Sequence, residues 1–90
     1  MPNQIFYHPD VQRDLSRLSG NIKIRIRRAI EERLLKDPIA YGEPLKRTLK
    51  GYRKLRVGDY RIIYKLEGTN IIILTIGHRK EAYEKIHLRL

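Results

Sequence analysis

From residue 52 onward the apolar positions recur every second residue through three short runs, and two tight-turn signals separate the runs. "YRKLRV" leads into Gly58 and Asp59, "YRIIYKL" leads into "EGTN", and a third run covers residues 71–78. Strand side chains alternate between faces, and short glycine-containing turns join antiparallel neighbours, so residues 52–78 read as a three-stranded antiparallel meander. A sheet this small, apolar on one face, needs a second layer to bury that face.

The preceding residues supply that layer. "NQIFYH" contains the β-favouring Ile5, Phe6 and Tyr7 and reads as a short first strand, running into Pro9 and Asp10, which suit a first helical turn. Val11, Leu15 and Leu18 recur at helical spacing, and "SGN" breaks that helix. Ile22, Ile26, Ala29, Ile30 and Leu34 then form the apolar stripe of a second helix that ends near Asp37 and Pro38. Residues 37–51 hold Pro38, Gly42, Pro44 and Gly51 without a sustained period and read as a loop with room for one helical turn. The tail "EAYEKIHLRL" fits either a short helix or a final strand. The expectation is a single α+β domain over residues 1–90: an N-terminal strand, an α-helical hairpin and a three-stranded antiparallel meander, forming one twisted sheet with the helices on one face.

Charge narrows the function. Twenty Lys and Arg against ten Asp and Glu give a formal net charge of +10, which points to a polyanionic partner. A membrane fits least well, because no apolar run approaches the roughly 18 residues of a spanning helix and the N-terminal residues lack the regions of a signal peptide. A cytoplasmic location and no membrane partner are expected. With no cysteine, and with His8, His78 and His87 outside zinc-like spacing, neither a metal nor another cofactor is expected.

Strand parity assigns the charges to a side. Leu55 and Val57, then Tyr60, Ile62, Tyr64 and Leu66, then Ile72, Leu74 and Ile76 form the apolar sets expected beneath the helices. The opposite parity, which also takes Ile71, Ile73 and Thr75, collects Lys54, Arg56, Arg61 and Arg79 on a face expected to be open and made concave by sheet twist. Residues 44–65 hold eight Lys or Arg against one acid, Asp59, and like charges on one sheet face oppose folding. Planar guanidinium forks match pairs of phosphate oxygens, so the face reads as phosphate-binding, with Lys46, Arg47, Lys50, Arg53 and Arg56 as its RNA-binding cations.

"LKGYRKLRVGDYRIIY", followed one turn later by "ILTIGHRKEAY", resembles the RelE/ParE superfamily of toxins from toxin-antitoxin pairs. The resemblance spans almost the whole chain. In that superfamily RelE-like members are endoribonucleases that enter the ribosomal decoding site and cut messenger RNA, whereas ParE-like members inhibit DNA gyrase. The RelE pattern of basic sheet residues and a tyrosine near the C-terminus is matched here by Lys54, Arg56, Arg61, Arg79 and Tyr83. Where RelE enzymes carry a further lysine two positions before Lys54, this chain has Tyr52. The resemblance implies a metal-independent mRNA endonuclease whose partners are a cognate antitoxin, the ribosome and mRNA. A gyrase inhibitor and a non-catalytic RNA-binding module are the alternatives.

RNA carries its own nucleophile, the 2′-hydroxyl, so catalysis needs alignment, a clamp for the developing phosphoryl charge, and proton transfer. Arg61 and Arg79 are the expected clamp. Lys54 serves as base if like charge from Arg56 and Arg61 favours its neutral amine. Tyr83 either stacks on a base or shares in proton transfer. Histidine is the residue type best suited to proton transfer at neutral pH, but parity turns His78 toward the core. Lys54, Tyr83 and His78 therefore all stand as candidate bases.

Overall fold

A computed structural model describes residues 3–45 and 51–89. The elements are β1 (Gln4–Tyr7), α1 (Val11–Ser16), α2 (Gly20–Ala29), α3 (Pro38–Tyr41), β2 (Glu43–Pro44), β3 (Tyr52–Val57), β4 (Tyr60–Glu67), β5 (Asn70–His78) and α4 (Arg79–Ile86). A wider π-helical turn, Ile30–Leu34, continues α2 and is closed by the Leu35 N–H donating to the Ile30 carbonyl at 2.9 Å. Side chains cap the helices where the sequence breaks them. Ser19 Oγ accepts from the Ile22 N–H at 3.4 Å, and Asp37 Oδ1 accepts from the N–H groups of Ile39 and Ala40 at 3.2 and 3.0 Å.

The strands form one sheet in the order β1-β5-β4-β3-β2. The meander β3-β4-β5 is antiparallel as expected, its turns carried by Gly58 and Gly68, each at φ +61°, where a Cβ would be strained. Two features go beyond the pattern in the sequence: β1 pairs parallel with β5, and the two-residue β2 pairs with β3. The hairpin of α1 and α2 covers one face. Its apolar stripe, including Val11, Ile26, Ala29, Ile30 and Leu34, packs on Leu55, Val57, Ile62, Tyr64, Ile71, Ile73 and Ile76.

Parity fails within β5. Ile63 pairs with Thr75 but Tyr64 pairs with Ile73, so Leu74 is an extra residue in a β-bulge. Beyond the bulge even-numbered residues face the helices and before it odd-numbered ones do. Ile76 therefore lies under the hairpin as expected, whereas Ile71 and Ile73 replace Ile72 and Leu74 there. The displaced pair faces the other side of the sheet, and that side is not open. The C-terminal tail is helix α4, and its Ala82 and Ile86 pack on Ile63 and Leu74, with Tyr52, Ile72 and Tyr83 around them. A second small core thus lies beneath α4. It turns the expected open sheet face into a cleft between α4 and β3.

The segment between α3 and β2 is held by one close approach. Tyr64 is fully buried, its hydroxyl donates to the Pro38 carbonyl at 2.6 Å, and a Cβ added at Gly42 would overlap that hydroxyl and approach the Lys54 carbonyl to 3.2 Å. Gly42→Ala is therefore expected to destabilise the fold by about 1–3 kcal/mol, the usual range for overpacking. Urea denaturation reads this directly, and an unchanged midpoint would mean that the segment yields to the methyl group.

Candidate active site

The cleft brings together residues from β3, β4 and α4. On β3, Lys54 stands opposite Ile63, and its Nζ donates to Tyr83 Oη at 3.1 Å and lies 5.4 Å from the centre of that ring. Arg61 on β4 pairs across the sheet with Arg56 on β3, so two guanidinium side chains start from directly opposed positions. Arg61 is buried, at 7% exposure, and its Nη1 donates to the carbonyls of Gly58 and Tyr60, both at 2.8 Å. Those two bonds pin the guanidinium against the β3-β4 turn. Its Nε is buried with no hydrogen-bond partner among the described residues, so part of its charge is left uncompensated.

This charge acts on Tyr83. Partial burial alone would raise the phenol, but the hydrogen bond from Lys54, together with the positive charge of Lys54 and Arg61, outweighs it and holds the phenol below the ordinary tyrosine range. Because Lys54 donates to the phenol oxygen, the phenol's own proton is free to meet a third group. Arg79 opens α4, is exposed, and donates its backbone N–H to the Asp59 carbonyl at 2.9 Å. It lies four residues before Tyr83, on the same side of the helix.

Other expected site residues are placed differently. Arg53 pairs with Tyr64 on the hairpin side of the sheet, and its Nη2 donates to the carbonyls of Ile39 and Gly42 at 2.7 and 2.9 Å. It secures α3 and does not join the cleft. His78 pairs with Tyr60, and the two rings meet edge to face with centres 6.0 Å apart, on the hairpin side as parity implied. It is separated by the sheet from Lys54 and Tyr83. Tyr52 lines the small core under α4, so its ring contributes packing where the resemblance implied a lysine. Lys46, Arg47 and Lys50 lie outside the described residues.

One constellation escaped the sequence reading. β1 ends after Tyr7, and beyond that point the outer edge of β5 is covered by side chains. Asp14 on α1, with its side chain 1% exposed, accepts from the Ile76 N–H at 3.1 Å, from Lys85 Nζ at 3.2 Å, and from Arg89 Nη1 and Nη2 at 2.5 and 2.9 Å. Arg89 Nη1 also donates to the Leu74 carbonyl at 3.0 Å. An acid and a base thus stand in for the missing strand neighbour, and the same bonds tie the end of α4 to α1. Burial alone would raise the Asp14 carboxyl, but the bonds from Arg89, Ile76 and Lys85 and the Arg89 charge hold it below the usual aspartate range. The available signal was an acid inside the apolar stripe of α1, between Val11 and Leu15.

Known proteins resemble this chain in sequence and in fold. A sequence profile described as the ParE toxin of type II toxin-antitoxin system, parDE, matches residues 5–83. Toxin RelG of Mycobacterium tuberculosis is 31% identical over 87 residues, covering 94% of this chain and 100% of the relative. Toxin RelE3 of Methanocaldococcus jannaschii is 33% identical over 75 residues, covering 80% of this chain and 85% of the relative. Among solved structures, the toxin-antitoxin complex RelBE2 from Mycobacterium tuberculosis contains a chain that superposes with a TM-score of 0.80 at 30% identity, over 88% of this chain and 100% of that one.

Proposed function

This chain belongs to the RelE/ParE superfamily as a RelE-like toxin of a type II toxin-antitoxin system, and from that premise we propose that it is a ribosome-dependent endoribonuclease that cuts mRNA. The observation that carries the reading is the hydrogen bond between Lys54 and Tyr83, formed across the cleft beside the pinned Arg61 charge. The 2′-oxygen attacks the adjacent phosphorus as its proton leaves, the bond from phosphorus to the 5′-oxygen breaks, and that oxygen takes up a proton. The products are a 2′,3′-cyclic phosphate and a 5′-hydroxyl. Lys54 and Tyr83 form the proton-transfer pair, and Arg61 and Arg79 stabilise charge on the phosphoryl oxygens. Arg61 is held in place by the Gly58 and Tyr60 carbonyls before substrate arrives, which is what makes such stabilisation effective.

The partner that restrains this activity is a cognate antitoxin, as in the complex of the Mycobacterium tuberculosis relative. A groove of about 360 Å³ between β1 and the helical hairpin, lined by apolar Ile5, Leu15, Ile26, Ile30 and Leu35, fits an apolar antitoxin segment. A second reading, inhibition of DNA gyrase, is favoured by the ParE description of the matching profile. The two separate cleanly by experiment. Purified toxin added to ribosomes programmed with a defined message is expected to produce cuts within the decoded codon, visible by primer extension, and to leave gyrase supercoiling unchanged. Intact message together with inhibited gyrase would replace the first reading with the second.

A further inference from the structure

Outside the cleft, a second cationic surface follows the outer edge of β3. β2 pairs with β3 at Arg53 and Lys54, and among the described residues Leu55, Arg56 and Val57 have no strand neighbour on that side, where side chains of α2 and its π turn border them. A concavity of about 230 Å³ there is lined by Arg25, Arg28, Arg33 and Arg56. It adjoins one of about 370 Å³ that shares Arg33 and Arg56 and reaches Lys54 and Tyr41. Glu32 and Glu43 are the acids along this path. No ion pair among the described residues engages any of the four arginines.

The arrangement is specific in two respects. Arg33 Nη1 donates to the Arg56 carbonyl at 3.4 Å, and Arg25 lies so close over the turn that a Cβ on Gly58 would come within 2.9 Å of its Nη2. These contacts hold Arg33 and Arg25 against the strand edge and its turn, and the four guanidinium groups gathered along the concavity favour a polyanionic ligand. Tyr41 is 52% exposed and offers a flat aromatic face beside those charges, the combination that holds single-stranded nucleic acid. Lys54 and Arg56 connect this groove to the cleft.

We infer that the β3-edge groove holds the substrate RNA strand next to the cleaved phosphate, with Arg25, Arg28, Arg33 and Arg56 binding its phosphates and Tyr41 stacking on a base. This rests on the ribonuclease reading. The test is fluorescence anisotropy of the full chain with a labelled single-stranded RNA octamer, fully 2′-O-methylated so that it cannot be cut, between 50 and 200 mM salt. The double variant Arg25→Ala with Arg28→Ala is expected to weaken binding and to flatten the slope of log K against log salt by about 1.4, or about 0.7 for each lost phosphate contact. Tyr41→Ala is expected to weaken binding roughly tenfold with the slope unchanged, and Tyr41→Phe to bind as the parent does.

Parent-like binding by the double variant and by Tyr41→Ala, with weakened binding by Arg79→Ala, would overturn the groove while leaving the ribonuclease reading in place. Loss of binding to poly-glutamate alone, with RNA binding intact, would also overturn it and assign the surface to an acidic protein. If the parent neither binds the octamer nor cuts message on programmed ribosomes, the ribonuclease reading falls and the groove with it. Circular dichroism on each variant confirms the fold, which substitutions at these exposed positions leave intact.

Discussion

Lys54→Ala is expected to lower the single-turnover rate of message cleavage on programmed ribosomes by about a hundredfold or more, the usual contribution of a positioned proton-transfer group. Tyr83→Phe removes only the hydroxyl that Lys54 holds at 3.1 Å and is expected to cause a loss of similar size. Because the two side chains act as one unit, the double variant should be little worse than either single one. Two further measurements locate the effect. Without the Lys54 ammonium, the Tyr83 phenol should return toward its ordinary range, which NMR titration of ring-labelled tyrosine reads without reference to activity. His78→Gln should cut within severalfold of the parent, since that ring lies against Tyr60 across the sheet. Inactive His78→Gln beside active Lys54→Ala would place the proton transfer on the hairpin side and refute the Lys54 and Tyr83 assignment.

The largest loss of stability is expected from Asp14→Ala. The substitution leaves the Ile76 N–H without its acceptor and takes from Arg89, whose side chain is 9% exposed, its bidentate carboxylate, leaving it only the Leu74 carbonyl and Asp10 at 3.9 Å, while Lys85 keeps Glu81 at 4.0 Å. Removing one partner of such a buried pair typically costs about 3–5 kcal/mol, a large part of the 5–15 kcal/mol that holds a small domain folded. Urea denaturation measures the loss; a change below about 1 kcal/mol would mean the pair behaves as a surface ion pair. Acid should unfold the parent by the same route. The Asp14 carboxyl is held below its unfolded value near 3.9, so its contribution is complete above that pH and disappears as pH falls through the lower folded value. Asp14→Asn should remove this part of the acid dependence. Hydrogen exchange should accelerate first in α4, because Lys85 and Arg89 anchor its end.

The amino-acid sequence by itself determined the first strand, the helical hairpin and the three-stranded meander with its antiparallel pairing. Period two over residues 52–78, with Gly58 and Gly68 in the turns, admits only an antiparallel meander, and the stripe from Ile22 to Leu34 admits only a helix against one face of it. The motif around Lys54 and Arg61 was legible too, because parity holds wherever the ladder is regular. Tertiary structure alone decided the rest. The bulge at Leu74 depends on how β5 matches β4, and it reversed the sides of Ile71, Ile72, Ile73 and Leu74 without any local signature. The tail "EAYEKIHLRL" holds too few apolar residues to choose its own form; Ala82 and Ile86 became a helix face because Ile63 and Leu74 were waiting to be covered. A basic side chain carries no label for its partner. Arg53 binds the carbonyls of Ile39 and Gly42, Arg89 binds Asp14, and Lys54 meets Tyr83, each according to what folding brings within reach of a long, flexible donor.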